Sequence, residues 1–387
     1  MRILLDCRMA SWSGVGRYTS GLARALAARA DVDLMQVCAA GEAPPVDPGF
    51  LVRTVTASAH PFSLRGALEL GRIVRAASPD LVHCLHFVTP MPQQAPLVVT
   101  LHDLLPLVVP GVMPSMARRI AYRLWNTRAV NSADAVIVPS RTTATDVSRY
   151  FDGARDKLVV IPEAADDFSS GRVGSLTGRL AELTSTPYLL SGGNTKPHKD
   201  LPTLLNAFAL IAPLFSSLRL LLTGPDQPGY LQAELAGSPP AVTSRVCFTG
   251  QVNDAELRAL YAGALAFVFP SRYEGFGLPP LEAMALGAPV VCSQATSLPD
   301  VVGDAALLFP AGDRGALVEA LRRVLRDPAL RQGLTTAGHR QAGRFTWAKT
   351  AAKTVSVYAK VLESRQLSSS GWEGDTSQLG ESGEDAT

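Results

Sequence analysis

The sequence predicts an α/β protein built from two doubly wound domains that face each other across a cleft. Three observations carry this. Short apolar runs alternate with helix-length segments, which implies parallel strands joined by crossover helices. The rhythm breaks once, over a stretch rich in Ser, Gly, Thr and Asp at 163–187, and then restarts. In both halves, loops bearing Gly and charged residues follow the strands, at the sheet edge where open α/β sheets bind ligands. A length of 387 residues suits two domains, each with its own core.

In order, strands are expected at 3–5, 34–38, 81–85, 97–101, 135–138 and 158–161, with a loop entering a helix over 14–29. The second set is expected at 188–190, 218–222, 246–248, 266–269 and 290–292. This gives a first domain over 1–165, a linker over 166–186, a second domain over 187–345 and a terminal helix over 346–363. The Ser-rich, then acidic, stretch 364–387 buries too little apolar surface to fold and is expected to be disordered.

Apolar residues make up 47% of the chain and charged ones 18%, a globular profile. A net charge of +2 argues against a nucleic-acid partner. Cys7, Cys38, Cys84, Cys247 and Cys292 form no CxxC pair and read as small hydrophobes in a reducing compartment. Asp6 and Arg8 interrupt the first apolar run too early for a signal peptide, and no run reaches the ~18 apolar residues of a spanning helix. A cytoplasmic protein is expected.

The most informative stretch is 270–291. Glu274 and Glu282 bracket seven residues, between the strand at 266–269 and a helix that Pro279 and Pro280 can start and Gly287 can end. The N–H groups of such a loop and helix start attract phosphate, and the two acids can hold sugar hydroxyls on either side of it. A Glu early in a helix can equally serve only the helix dipole.

Other loops add to this. Gly14 and Gly16, after the first strand, would let backbone approach a diphosphate, or serve an ordinary turn. His102 and Asp103 end another strand, where a His suits a ligand or a structural bond to a backbone carbonyl. His83, His86 and His102 lack the carboxylate or Cys that would complete a metal-ligand spacing, so no metal is expected. The segment 191–200 carries Gly192, Gly193, Asn194, Lys196 and Lys199 at the same edge as Glu274, where lysines can neutralise a departing phosphate. Thr249 and Gly250 form a further turn, where a base would be met.

Taken in order, these pieces resemble the retaining glycosyltransferases of family four, which have the GT-B fold of two Rossmann-like domains. The resemblance runs from Met1 to about Leu362 and is most specific from Glu274 through Glu282. It extends to Val15-Gly16-Arg17-Tyr18, His102-Asp103-Leu104, Pro197-His198-Lys199-Asp200-Leu201 and Phe345-Thr346-Trp347. Among subgroups the chain looks most like bacterial mannosyltransferases of O-antigen, capsule or exopolysaccharide assembly. The resemblance implies that Gly14 and Gly16 line the diphosphate and acceptor loop, that His102 lies near the transferring sugar, and that Lys199 binds the diphosphate. It implies that Glu274, with backbone of Phe276, Gly277 and Leu278, holds donor sugar and phosphate, that Glu282 binds ribose, and that the terminal helix crosses back to the first domain. Many members carry Arg where this chain has Asn194, and Arg-Lys where it has His198-Lys199; Lys196 or Arg17 could supply the missing charge.

The implied activity is metal-independent transfer of a sugar, with GDP-mannose the preferred donor, onto a lipid-linked or oligosaccharide acceptor. The alternatives are a sugar-nucleotide epimerase or phosphorylase of the same fold, or a non-catalytic assembly partner. The stretch 113–128 has four arginines, no acids, and Met116, Ile120 and Leu124 at helical spacing. It is expected either to touch an anionic membrane surface or to pack those three residues onto the first domain.

Overall fold

The structure is a computed structural model and describes residues 1–46, 50 and 52–370. The first sheet contains β1 (Arg2–Asp6), β2 (Asp33–Ala39), β3 (Arg53–Ala57), β4 (Leu81–Cys84), β5 (Leu97–Thr100), β6 (Ala135–Val138) and β7 (Leu158–Val160), in the order β3-β2-β1-β4-β5-β6-β7. The second contains β8 (Tyr188–Gly192), β9 (Arg219–Thr223), β10 (Val246–Phe248), β11 (Ala266–Phe269), β12 (Val290–Ser293) and β13 (Ala306–Phe309), in the order β10-β9-β8-β11-β12-β13. Pairing within both sheets is parallel.

The apolar runs become strands because helices cover both faces of each sheet. β4, β5, β6, β11 and β12 are buried along their whole length. Two edge strands, β3 and β13, were not expected. β3 is mostly exposed and alternates polar residues, so it lacks the continuous apolar run of a central strand; β13 is apolar throughout, Ala306-Leu307-Leu308-Phe309, but only half-buried at the sheet edge.

The strand order reverses between β1 and β4 in the first sheet and between β8 and β11 in the second, with the strands still parallel. Such switch points leave a crevice beyond the carboxyl ends of the two diverging strands. In the second sheet those ends lead into Lys199 and Glu274.

The linker is more structured than its composition implies, holding helices Asp166–Ser169 and Gly178–Leu183. The terminal helix runs Trp347–Ser370, beyond the expected end at 363, so 364–370 are helical; residues 371–387 lie outside the described residues. Trp347, Ala351, Val355, Tyr358 and Val361 enter the first domain's core with Leu22 and Leu26. Tyr358 also meets His83 Nδ1 at 2.6 Å, while His83 Nε2 lies 2.8 Å from Thr100 Oγ1. Burial lowers the His83 pKa to about 3, so the ring stays neutral at the centre of this contact.

Helix Met116–Ser132 turns Tyr122 and Asn126 toward the domain. Met116 (66%), Ile120 (53%) and Leu124 (65%) stay exposed, so the packing alternative for these three fails.

Candidate functional site

β11 ends at Phe269, and its loop is clamped before the next helix begins. Glu274 N–H donates to Thr296 Oγ1 at 2.9 Å, and Ser297 Oγ donates to the Phe276 carbonyl at 2.7 Å. Gly277, at φ +119°, caps the helix Leu278–Ala285, whose first turn carries Pro279 and Pro280. These constraints fix the loop N–H groups beside a helix start, an arrangement suited to an anion.

Lys199 arrives from the loop after β8, on the turn Pro197–Lys199, and its Nζ donates to Glu274 Oε1 at 2.7 Å. One cation and one carboxyl thus meet at the second sheet's switch point. Asn194 is exposed on the same loop, where its Oδ1 accepts from Lys196 N–H.

Glu282 is buried. Its Oε1 lies 3.2 Å from Arg17 Nε of the first domain, and its Oε2 accepts from the Tyr261 hydroxyl at 3.3 Å. Burial outweighs the Arg17 charge and pushes its carboxyl up to about 7.

On the first domain, Gly14 and Gly16 lie inside helix Ser13–Ala27 rather than in a loop before it, because Trp12 takes the extended N-cap conformation and the helix starts at once. The two differ in need. A Cβ at Gly16 would come within 2.2 Å of the Ala10 carbonyl oxygen, whereas Gly14 has open space. Gly14 lines the cleft; Gly16 packs beneath it against a neighbouring hollow.

His102 also lines the cleft, but both ring nitrogens are engaged. Nε2 faces the Leu85 carbonyl at 3.1 Å, which can only accept, and Nδ1 lies 3.0 Å from Glu163 Oε1. Burial works to lower its pKa, but the Glu163 hydrogen bond and charge outweigh it, so the pKa is raised. The ring therefore ties β5 to β4 and to the start of the linker. Neither ring nitrogen is free to meet a sugar in this arrangement. Asp103 beside it accepts from Leu105 N–H, and burial raises its pKa. His83 and His86 gather no metal set with His102: His83 holds Tyr358 and Thr100, and His86 Nε2 lies 3.1 Å from the buried Asp6 carboxylate, which also pairs with Arg8.

The two halves touch. A Cβ at Gly275 would come within 2.0 Å of the His102 carbonyl oxygen, so only Gly permits this approach. Thr143 Oγ1 donates to the Gly275 carbonyl at 3.1 Å, and the Tyr273 hydroxyl lies 2.7 Å from Asp146 Oδ2. The cleft between them has a volume of about 690 Å³. Gly14, His102, Asn194, Lys199, Glu274, Phe276, Gly277, Leu278 and Glu282 all line it. The sequence reading missed Glu163, Asp146, Tyr261 and Tyr273. Only Tyr273, beside Glu274 in the motif, carried any signal.

Residues 12–167 match the family model described as Glycosyltransferase Family 4, and residues 178–341 match Glycosyl transferases group 1. The O-antigen chain mannosyltransferase B of Escherichia coli is 32% identical over 266 residues, covering 67% of this chain and 69% of that protein. The chain belongs to the family 4 glycosyltransferases. The serotype-specific mannosyltransferase WbdA of Escherichia coli is 31% identical over 283 residues, 71% of this chain but only 34% of its own length. This glycosyltransferase chain therefore matches about a third of WbdA. Among solved structures, sucrose-phosphate synthase from Thermosynechococcus elongatus superposes with a TM-score of 0.73 at 22% identity, covering 94% of this chain and 100% of that one. That likeness bears on the fold alone, and the fold is GT-B.

Proposed function

We propose that this glycosyltransferase moves a mannosyl group from GDP-mannose, with retention at the anomeric carbon, onto a lipid-linked or oligosaccharide acceptor during cell-surface polysaccharide assembly. The observation that carries the reading is the pairing of Lys199 with Glu274 beside the anion-ready loop, at the switch point of the second sheet. The names of relatives, mannosyltransferases of O-antigen synthesis, support mannose.

In this reading the diphosphate lies against Lys199 and the loop 274–278, whose charge and N–H groups stabilise the negative charge that grows as the glycosidic bond breaks. Glu274, released from Lys199 by the phosphate, accepts from sugar hydroxyls. Glu282 accepts from the ribose. The donor's own phosphate takes the proton of the incoming hydroxyl on the face the leaving group vacates, so configuration is retained and no metal is required. Turnover with GDP-mannose against other nucleotide sugars tests the reading.

The acceptor side supports a membrane location. Met116, Ile120 and Leu124 form an exposed apolar ridge at i, i+4, i+8, flanked by exposed Arg118 and Arg123. The opposite face of the same helix packs behind the cleft, where the Tyr122 hydroxyl donates to the carbonyl of the cleft-lining Asp103 at 3.3 Å. Such a ridge suits the anionic inner face of the cytoplasmic membrane and would bring a lipid-linked acceptor beside the cleft. Among the described residues no helix is long and apolar enough to cross a membrane.

A further inference from the structure

Arg17 stands where three parts of the chain meet. It projects from helix Ser13–Ala27 of the first domain. Its Nε lies 3.2 Å from Glu282 Oε1 and its Nη2 3.1 Å from Asp254 Oδ1, both in the second domain. Its guanidinium stacks at 4.0 Å over the Phe168 ring, in the linker. The side chain is 29% exposed, against 4% for Glu282, so the cation comes from the rim and the carboxyl sits inside.

We propose that Arg17 is a positioning residue for nucleotide recognition: reaching across the cleft, it orients Glu282 so that the two domains together complete the site for a ribose diol. The inference rests on the reading of the cleft as a nucleotide-sugar site and adds a residue to it. The lone pairs support it. A carboxylate offers about four acceptor sites, two on each oxygen. Arg17 faces Oε1 as an ion-pair partner at 3.2 Å, and Tyr261 takes one site on Oε2. At least one site remains on each oxygen, a pair suited to two vicinal hydroxyls.

Only the ionised carboxylate can offer that pair. Glu282 faces Arg17 from the first domain, Tyr261 and Asp254 from helix Asp254–Gly263, and Asp167 from the linker. Burial and the two aspartates raise its pKa, and Arg17 opposes them with its positive charge. Withdrawing Arg17, by substitution or by opening of the cleft, leaves a buried acid that holds its proton and binds ribose poorly. Nucleotide affinity thereby becomes dependent on domain closure.

The test is calorimetric binding of GDP and of 2′,3′-dideoxy-GDP from pH 5.5 to 9, with wild type, Arg17→Gln and Arg17→Lys. UDP and its dideoxy form replace them if wild type prefers uridine. Arg17 is partly exposed and in the helix's second turn, so Gln suits the backbone there; Arg17→Lys keeps the charge as a second variant. Wild-type affinity for GDP is expected to fall as pH drops through about 7, the value of Glu282. In Arg17→Gln the midpoint moves up by about one pH unit, with roughly fivefold weaker binding at pH 7, approaching tenfold at pH 5.5, that recovers at pH 9. Arg17→Lys stays near wild type, and the dideoxy nucleotide shows little dependence on pH or on residue 17. An unchanged midpoint in Arg17→Gln, or equal losses for both nucleotides at all pH values, overturns the role of Arg17. Wild type that binds no nucleoside diphosphate overturns the nucleotide-sugar reading itself.

Discussion

Tyr273 reaches across the cleft to place its hydroxyl 2.7 Å from Asp146 Oδ2, so the residue next to Glu274 is tied to the opposite domain. Burial raises the Asp146 pKa and the Tyr273 bond works against it. Together with Thr143 on the Gly275 carbonyl, this bond holds the Glu274 loop against the first domain.

Tyr273→Phe removes that hydroxyl and little else. A bond of this kind is worth about 1 kcal/mol net, or roughly fivefold. We expect kcat/KM to fall by about that factor, and small-angle scattering of the ligand-free protein to show a larger radius of gyration. Unchanged scattering with unchanged kinetics would show that the bond does not hold the cleft closed.

The acids of the motif should separate kinetically. Glu274 meets Lys199 on the loop, whereas Glu282 lies inside with Arg17 and Tyr261. Glu274→Ala and Lys199→Ala should chiefly lower kcat, by ~10²-fold or more as is common when one stabilising group leaves such a site. Glu282→Ala should chiefly weaken nucleotide binding. Steady-state kinetics with calorimetry on the three variants checks this; full turnover and full affinity in all three would remove the site assignment.

His83 makes stability pH-dependent in a definite direction. Its folded pKa is lowered to about 3, while the unfolded chain takes up the proton near 6.5. Below 6.5 the unfolded state therefore binds more protons, and stability is lost as pH falls. Glu282, raised to about 7, acts oppositely between its two pKa values, so wild type alone mixes both effects. The difference between wild type and His83→Gln isolates the histidine. That difference should shrink by about 1.4 kcal/mol per pH unit from 6 to 4. Denaturant titrations measure it, and a constant difference would place His83 in a solvated environment.

The exposed ridge Met116–Ile120–Leu124 predicts flotation with anionic vesicles at low salt and less flotation at high salt. Arg118→Glu with Arg123→Glu, or Ile120→Glu alone, should leave the protein at the bottom of the gradient. Arg119 is spared because its guanidinium donates to the Leu107 carbonyl. Wild type that stays at the bottom, or variants that float equally well, would rule out this helix as a membrane contact.

What the sequence made legible follows from local physics. Central strands such as β5 are continuous apolar runs because both faces are covered, whereas β3, mostly exposed at an edge, leaves no such signature. Glu274, Lys199 and Glu282 stood out because each sits in a Gly- or Pro-marked segment at a strand end. Their partners did not: Arg17 lies 265 positions from Glu282, and Asp146 lies 127 from Tyr273, so only the packing of the two domains brings them together. His102 was legible as a strand-end residue, but its engagement with Glu163 depends on where the linker begins.

The most direct test of the account is transfer measured with a panel of nucleotide sugars and polyprenyl-diphosphate oligosaccharide acceptors, in EDTA, followed by NMR of the new linkage. GDP-mannose should be the productive donor, the product should be an α-mannoside that keeps the donor's anomeric configuration, and turnover should survive the chelator. An inverted β-linkage, conversion of the donor sugar without any acceptor, or activity lost in EDTA and restored by magnesium or manganese would contradict it.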